Sequence, residues 1–255
     1  MVSFGRLPEP VRRDPVAYLV ELRQTLPRVT DAAQIPPRLT LAGQVAQLPN
    51  LLVGDFRTVG AQIPDNSVAL VLTDPPYDRK SLPLYGDVAA FAARVLVPGG
   101  SLVVYAPTYA LPEVCGMMAD HLRFWWAFAL VHTGRRALMR GHGVRVAWKP
   151  LLWFTKGERT DTRIVEDVIR GTPEKTVHPW QQGVVEAATL IESLTRPGDC
   201  VCDPMVGSGT TLLAARLLGR RGIGIEINPD TAALAARRLA EGDGGLQTQL
   251  CGVLS

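Results

Sequence analysis

Asp74 closes a short apolar run, VALVLT at 68–73, and is followed at once by Pro75, Pro76 and Tyr77. An apolar run of this length, ended by a turn signal, reads as a strand buried on both faces. Two consecutive prolines forbid further strand or helix and stiffen the turn. The tip thus presents one carboxylate, the backbone carbonyl of Pro75 and one aromatic ring at the carboxyl end of an interior strand. Open α/β sheets place their ligands there.

A second group of chemically capable residues lies at 200–230, CVCDPMVGSGTTLLAARLLGRRGIGIEINPD. Asp203 ends a strand and is followed by Pro204 and Met205. Gly207, Ser208 and Gly209 allow a tight turn whose backbone N–H groups face a ligand, and Thr210 and Thr211 open the next helix. Glu226 ends the following strand, 23 residues after Asp203. An acidic residue at the end of the second strand is how α/β nucleotide sites hold ribose hydroxyls. The loop lacks the lysine of a phosphate-binding P-loop and the spacing of a dinucleotide fingerprint. An adenosine-type ligand with a cationic or zwitterionic tail fits better, because Asp203 supplies negative charge beside the loop. Taken alone, such a glycine turn is equally an ordinary strand–helix connection; Glu226 and the Asp74 tip give it meaning.

These groups need a scaffold. Helical spacing is expected over 88–96, 111–122, 184–194, 210–218 and 229–239, with Asn228 as N-cap and Pro229 at the first helical position. Strands are expected at 50–56, 101–106, 124–132, 148–156, 199–202 and 222–227. Pro98-Gly99-Gly100 reads as a turn, and 132–146 as a loop without periodicity. Alternating strands and helices imply a doubly wound, mostly parallel sheet, with 148–156 antiparallel to its neighbour. Residues 1–50 read as a helical appendage, 51–240 as one α/β domain and 241–255 as a glycine-rich tail.

Composition bounds the rest. No apolar run reaches the length of about 18 residues that a membrane span needs, and no secretory leader is expected. Cys115, Cys200, Cys202 and Cys251 lack zinc-ligand spacing and read as small buried hydrophobes of a cytoplasmic protein. No metal is expected. Net charge is only +3, but between Arg123 and Arg163 nine Lys or Arg face two acids. That excess reads equally as a solvated surface or as a footprint for a phosphate backbone. Trp125, Trp126 and Phe128 read as strand core, with a base-stacking role as the alternative.

Together, the DPPY tip at 74–77 and DPMVGSGTT at 203–211 resemble the amino-methyltransferases that use S-adenosyl-L-methionine on adenine N6 or cytosine N4. The tip comes first and the cofactor loop last, as in the circularly permuted β group of bacterial and phage DNA methyltransferases. Further likeness lies in Gly54-Asp55 about twenty residues before the tip, in the late strand from Lys149 to Gly157, and in His178-Pro179-Trp180-Gln181. The resemblance covers roughly residues 50–240. It departs at Met205, where the family carries an aromatic, and at Gln182, where it carries a lysine.

The resemblance implies a Rossmann-like fold and methyl transfer to an exocyclic amino nitrogen of a flipped-out base in double-stranded DNA. It casts Asp74 and the Pro75 carbonyl as acceptors for the two N–H groups, on the stiff Pro75-Pro76 turn, and Tyr77 as the ring that stacks on the base. It assigns Asp203, Pro204, Met205 and Gly207–Thr211 to the methionine part of the cofactor, Glu226 to the ribose, Asp55 to the neighbourhood of the adenine, and His178 to the pocket or to packing. Residues 133–177 would read the target, with Arg135, Arg136, Arg140, Arg145 and Lys149 on phosphates or guanine edges. So short a reader suggests a homodimer or a specificity partner, or low specificity. Adenine N6 leads, because DPPY is commoner in adenine enzymes. Cytosine N4 is the first alternative; an RNA or protein methyltransferase, or a non-catalytic regulator, is the second.

Overall fold

The apolar runs assemble into an eight-stranded sheet, shown by a computed structural model that describes residues 51–132, 137–159, 161, 163–171 and 183–241. The expected appendage, Arg135, Arg136, His178, Gln182 and the tail beyond Glu241 lie outside those residues. In chain order the strands are β1 (Leu51–Val53), β2 (Val68–Thr73), β3 (Leu96–Tyr105), β4 (Arg123–His132), β5 (Ala137–Met139), β6 (Val144–Val146), β7 (Trp148–Thr155), β8 (Val168–Gly171), β9 (Cys200–Asp203) and β10 (Arg221–Glu226). The α-helices are α1 (Phe56–Val59), α2 (Leu84–Val95), α3 (Leu111–Ala119), α4 (Val184–Leu194), α5 (Thr210–Leu217) and α6 (Pro229–Glu241).

Spatial order in the sheet is β1-β10-β9-β2-β3-β7-β4-β8. Every pairing within it is parallel except the two that β7 makes, so the one expected antiparallel strand is β7. From β2 the chain crosses through α2 to β3 on one side; from β9 it crosses through α5 to β10 on the other. The sheet's winding therefore reverses between β2 and β9. Right-handed crossovers in opposite directions put α2 and α5 on opposite faces.

The side-chain pattern of β10 shows both faces at once. Ile223 and Ile225 join the core that holds Tyr85, Val88, Ala92 and Val95 of α2, whose spacing makes one buried stripe. Gly222 and Gly224 face the other way, against Leu212 of α5. A Cβ on Gly224 would lie 2.8 Å from Val206 Cγ2, so glycine is what admits the loop and helix this close. Cys200 and Cys202 are buried in the α2-side core, free of disulfides, and burial pushes the Cys200 thiol up to about 12.

Several expectations change. The segment 132–146, expected as a loop, contains a hairpin in which Ala137, Leu138 and Met139 pair with Val146, Arg145 and Val144. A turn of 3-10 helix at Arg140–His142 closes it, with Gly143 at φ 65°. Strand β8 lies in a stretch whose polar composition gave no signal. Pro98-Gly99-Gly100, expected as a free turn, is incorporated into β3: Gly99 N–H donates to the Lys156 carbonyl, and Lys156 N–H to the Gly100 carbonyl. Gly99 at φ 76° absorbs the register shift between the Val68 and Leu70 pairings.

Candidate active site

Four consecutive strands, β1, β10, β9 and β2, end side by side, and an acidic residue stands at or just past the end of each. The register pairs Val53 with Glu226 and Gly224 with Asp203; Asp55 and Asp74 follow the ends of β1 and β2. Two inter-strand spacings, roughly 10 Å, separate the axes of β2 and β10. Asp74 and Asp203 flank the reversal of winding, where an open sheet offers a crevice.

Asp203 is 5 % exposed. Its Oδ2 accepts from Thr211 Oγ1 at 2.7 Å and its Oδ1 from the Met205 N–H at 3.1 Å. Burial raises its carboxyl to about 6, against the pull of Thr211, Thr73 and Met205, and the Asp74 charge adds to the rise. Glu226 accepts from the Gly207 N–H through Oε2 (3.0 Å) and from the Asn228 N–H through Oε1 (2.9 Å). It is thus bound directly to the glycine loop. Asp55 caps α1 through the Arg57 N–H and is grasped by the Arg57 side chain, whose hydrogen bonds hold its carboxyl below the usual range.

The loop itself turns on Gly207 (φ 53°) and Gly209 (φ 85°). Space beyond the Gly207 Cα is open, whereas a Cβ on Gly209 would touch Ala235 of α6 at 3.4 Å. From α6, Arg238 donates to the Ser208 carbonyl (3.1 Å), Ser208 Oγ (3.3 Å) and Thr210 Oγ1 (3.0 Å). The hydroxyls of Ser208, Thr210 and Thr211 therefore have partners within the protein and help to shape the loop. Arg238 was not foreseen; on an amphipathic helix an arginine reads as a solvated residue.

At the tip, Asp74 is half-buried, Pro75 buried and Pro76 exposed. Tyr77 was expected to stand clear of the core, but it is half-buried with its hydroxyl inside. Burial, then the neighbouring Asp74 charge, drives its ionisation far above the ordinary phenol range. Around it gather tyrosines that the sequence did not single out. Tyr109 donates to the Tyr77 carbonyl at 2.5 Å, and Tyr85 to the Tyr105 carbonyl at 3.1 Å. The Tyr105 phenol is pushed far up by burial and then by the charges of Glu186, Asp74 and Asp203, so three carboxylates converge on it. Glu186, on α4, was not foreseen either.

The basic candidates divide. Lys149 stands at the tip, its Nζ 5.6 Å from the Tyr77 ring centroid and 6.0 Å from that of Tyr105. Arg140 and Arg145 are exposed on the β5–β6 hairpin. The tryptophans are elsewhere: β4 lies three strands from β2, with Phe128 buried and stacked on Trp153 and Trp126 Nε1 bound to Asp167. Among the described residues, no helix is long and apolar enough to cross a membrane.

Comparison with known proteins joins this geometry to a family. The Type II methyltransferase M.BglII of Bacillus subtilis is 27 % identical over 82 % of this chain and 74 % of its own. The Type II methyltransferase M.HpaI of Haemophilus parainfluenzae is 23 % identical over 69 % of each. Among solved structures, the M1.HpyAVI–SAM complex superposes with a TM-score of 0.63 at 25 % identity, covering 74 % of this chain and 98 % of that one. The DNA modification methylase TTHA0409 of Thermus thermophilus, complexed with S-adenosyl-L-methionine, gives 0.62 at 26 %, covering 76 % and 94 %. The cytosine-N4-specific PvuII DNA methyltransferase, at 20 % identity and a TM-score of 0.64, shares the fold. Residues 68–237, from the first residue of β2 into α6, match the DNA methylase family N6_N4_Mtase, and the chain belongs to that family of S-adenosyl-L-methionine-dependent methyltransferases.

Proposed function

We propose that the chain is a site-specific DNA methyltransferase that acts on the exocyclic N6 of an adenine flipped out of the duplex. The observation that carries the reading is the placement of Asp74 and Asp203 on the two sides of the point where the sheet's winding reverses. The cofactor fits the residues present. Open space over Gly207, a buried carboxylate at Asp203 and a second at Glu226 offer N–H donors and acceptors to a nucleoside with a cationic tail.

When bound, S-adenosyl-L-methionine supplies a sulfonium methyl for direct displacement. Glu226 would accept the ribose hydroxyls with the lone pairs left over from Gly207 and Asn228. Asp203 would balance positive charge beside the loop, and Asp55 would close the adenine end. On the acceptor side, an exocyclic amine is a poor nucleophile because its lone pair is delocalised into the ring. Asp74 and the Pro75 carbonyl, accepting one N–H each, would favour a tetrahedral nitrogen and stabilise the charge that develops on it. Pro75 and Pro76 hold that geometry before the base arrives. Tyr77, with Lys149 over its ring, would meet the face of the base. Arg135, Arg136, Arg140 and Arg145 would contact the duplex.

An aspartate rather than a serine at position 74, the form associated above with adenine enzymes, favours N6 over cytosine N4. With a reader as short as 133–177, a second copy or a specificity subunit would share recognition. The test is transfer of labelled methyl to mixed DNA, followed by digestion to nucleosides. N6-methyladenine is expected, and Asp74→Ala should abolish transfer while retaining cofactor binding. N4-methylcytosine would overturn the base assignment, and label confined to RNA or protein would overturn the DNA reading.

A further inference from the structure

Tyr109 touches two parts of the molecule that chain topology keeps apart. Its hydroxyl donates to the carbonyl of Tyr77, the last residue of the tip, at 2.5 Å. Its ring lies against His142, in the turn of the β5–β6 hairpin, with centroids 6.4 Å apart and planes 16° from parallel. Arg79, two residues beyond the tip, has its guanidinium 5.5 Å from the same ring. The hairpin bears exposed Arg140 and Arg145 and exposed apolar Leu138, Met139 and Val144. A cationic surface with apolar residues suits a phosphate backbone and unstacked bases.

We propose that Tyr109 is a positioning residue for methyl transfer: one hydrogen bond fixes the Asp74–Tyr77 tip, and its ring docks the DNA-facing hairpin onto that tip. The inference rests on the functional reading above. The two contacts do different things. The hydrogen bond sets where the carbonyl end of the tip sits, and through the stiff prolines it sets the direction of the Pro75 carbonyl and Asp74. The ring stack holds the hairpin over the place where the base must enter. Neither requires Tyr109 to touch the reacting atoms.

Two substitutions separate them. Tyr109→Phe keeps the ring and removes the hydroxyl; kcat should fall about tenfold, the factor worth about 1.4 kcal/mol, with KM for DNA and equilibrium binding of S-adenosyl-L-methionine unchanged. His142→Ala keeps the hydrogen bond and removes the stack; KM for DNA should rise about fivefold, with kcat changed less, as about 1 kcal/mol of lost docking implies. His142→Phe, which restores a flat ring, should recover the lower KM. Hydrogen exchange across 137–146 should quicken in His142→Ala and stay slow in His142→Phe. Wild-type kcat in Tyr109→Phe, or a parallel loss of kcat and cofactor binding, would overturn the positioning role. Exchange unchanged by His142→Ala would overturn the docking role. Transfer is counted as total label in DNA, so label in cytosine would sink the adenine assignment and leave this test intact. Exchange reads the docking in a protein that transfers nothing.

Discussion

Asp203→Asn isolates the cost of keeping a charge inside the crevice. The folded carboxyl titrates at about 6 against an ordinary 3.8, chiefly because burial penalises the ionised form. Below the unfolded value both states are protonated, and the side chain has no pH-dependent effect on stability. As pH rises through the folded value, the unfolded chain has already ionised and the folded chain must carry a buried charge. Stability that is fully present below pH 3.8 is therefore lost by pH 7, and the shift amounts to about 3 kcal/mol. Asparagine carries no charge and loses nothing over that window. It has one acceptor oxygen where aspartate offers two, for Thr211 and the Met205 N–H, but that deficit does not change with pH. Urea unfolding of both proteins from pH 4 to 8 should show the stability difference, variant minus wild type, climbing by about 3 kcal/mol and levelling near pH 7. Cofactor binding should run the other way. About a tenth of Asp203 is ionised at pH 5 and about nine-tenths at pH 7. If that charge faces the cationic end of the cofactor, wild-type affinity rises about tenfold across the window, while Asp203→Asn stays flat. Parallel stability profiles in the two proteins, or a wild-type affinity that ignores pH between 5 and 7, would refute the reasoning.

Gly224→Ala should injure the cofactor loop from behind. The new methyl would sit 2.8 Å from Val206 Cγ2 and 3.0 Å from Leu212 Cδ2, so the loop and α5 must back away from the sheet. Such overpacking costs about 1–3 kcal/mol, visible in calorimetry as a fall in Tm of about 2–4 °C per kcal/mol, and affinity for S-adenosyl-L-methionine should drop with it. Arg140→Ala and Arg145→Ala should weaken DNA binding without changing cofactor affinity. If both meet phosphates, each lowers the slope of log K against log salt by about 1, which fluorescence anisotropy at several salt concentrations measures.

Strong local signals made the sheet legible in the sequence. VALVLT before two prolines, CVCD before a glycine turn, and Asn228-Pro229 before an amphipathic stretch each combine a burial pattern with a stop or start residue. They also located Asp74, Asp203 and Glu226, because the end of a buried strand is the one place where a lone acid is both solvent-reachable and fixed. What was missed is short or long-range. Strands β5 and β6 have three residues each, too few for alternation to register, and their arginines read as loop. Pro98-Gly99-Gly100 carries every local mark of a turn, yet two backbone hydrogen bonds to Lys156, just past β7, draw it into the sheet. Tyr85, Tyr105, Tyr109, Glu186 and Arg238 come from other elements, with nothing in their own neighbourhoods to mark them.

The reversed direction of β7 has a consequence for where DNA can be met. β4 rises parallel to β2 and ends at His132 on the rim that carries Asp74; β7 descends from that rim, beginning at Trp148 and Lys149. The arginine-bearing hairpin between them is therefore confined to the catalytic rim. Had β7 run parallel, the chain would have needed a crossover to the opposite rim before re-entering the sheet. The stretch between β4 and β7 would then have been spent on a return helix. One inverted strand thus decides that the basic surface and the carboxylates share a side of the molecule.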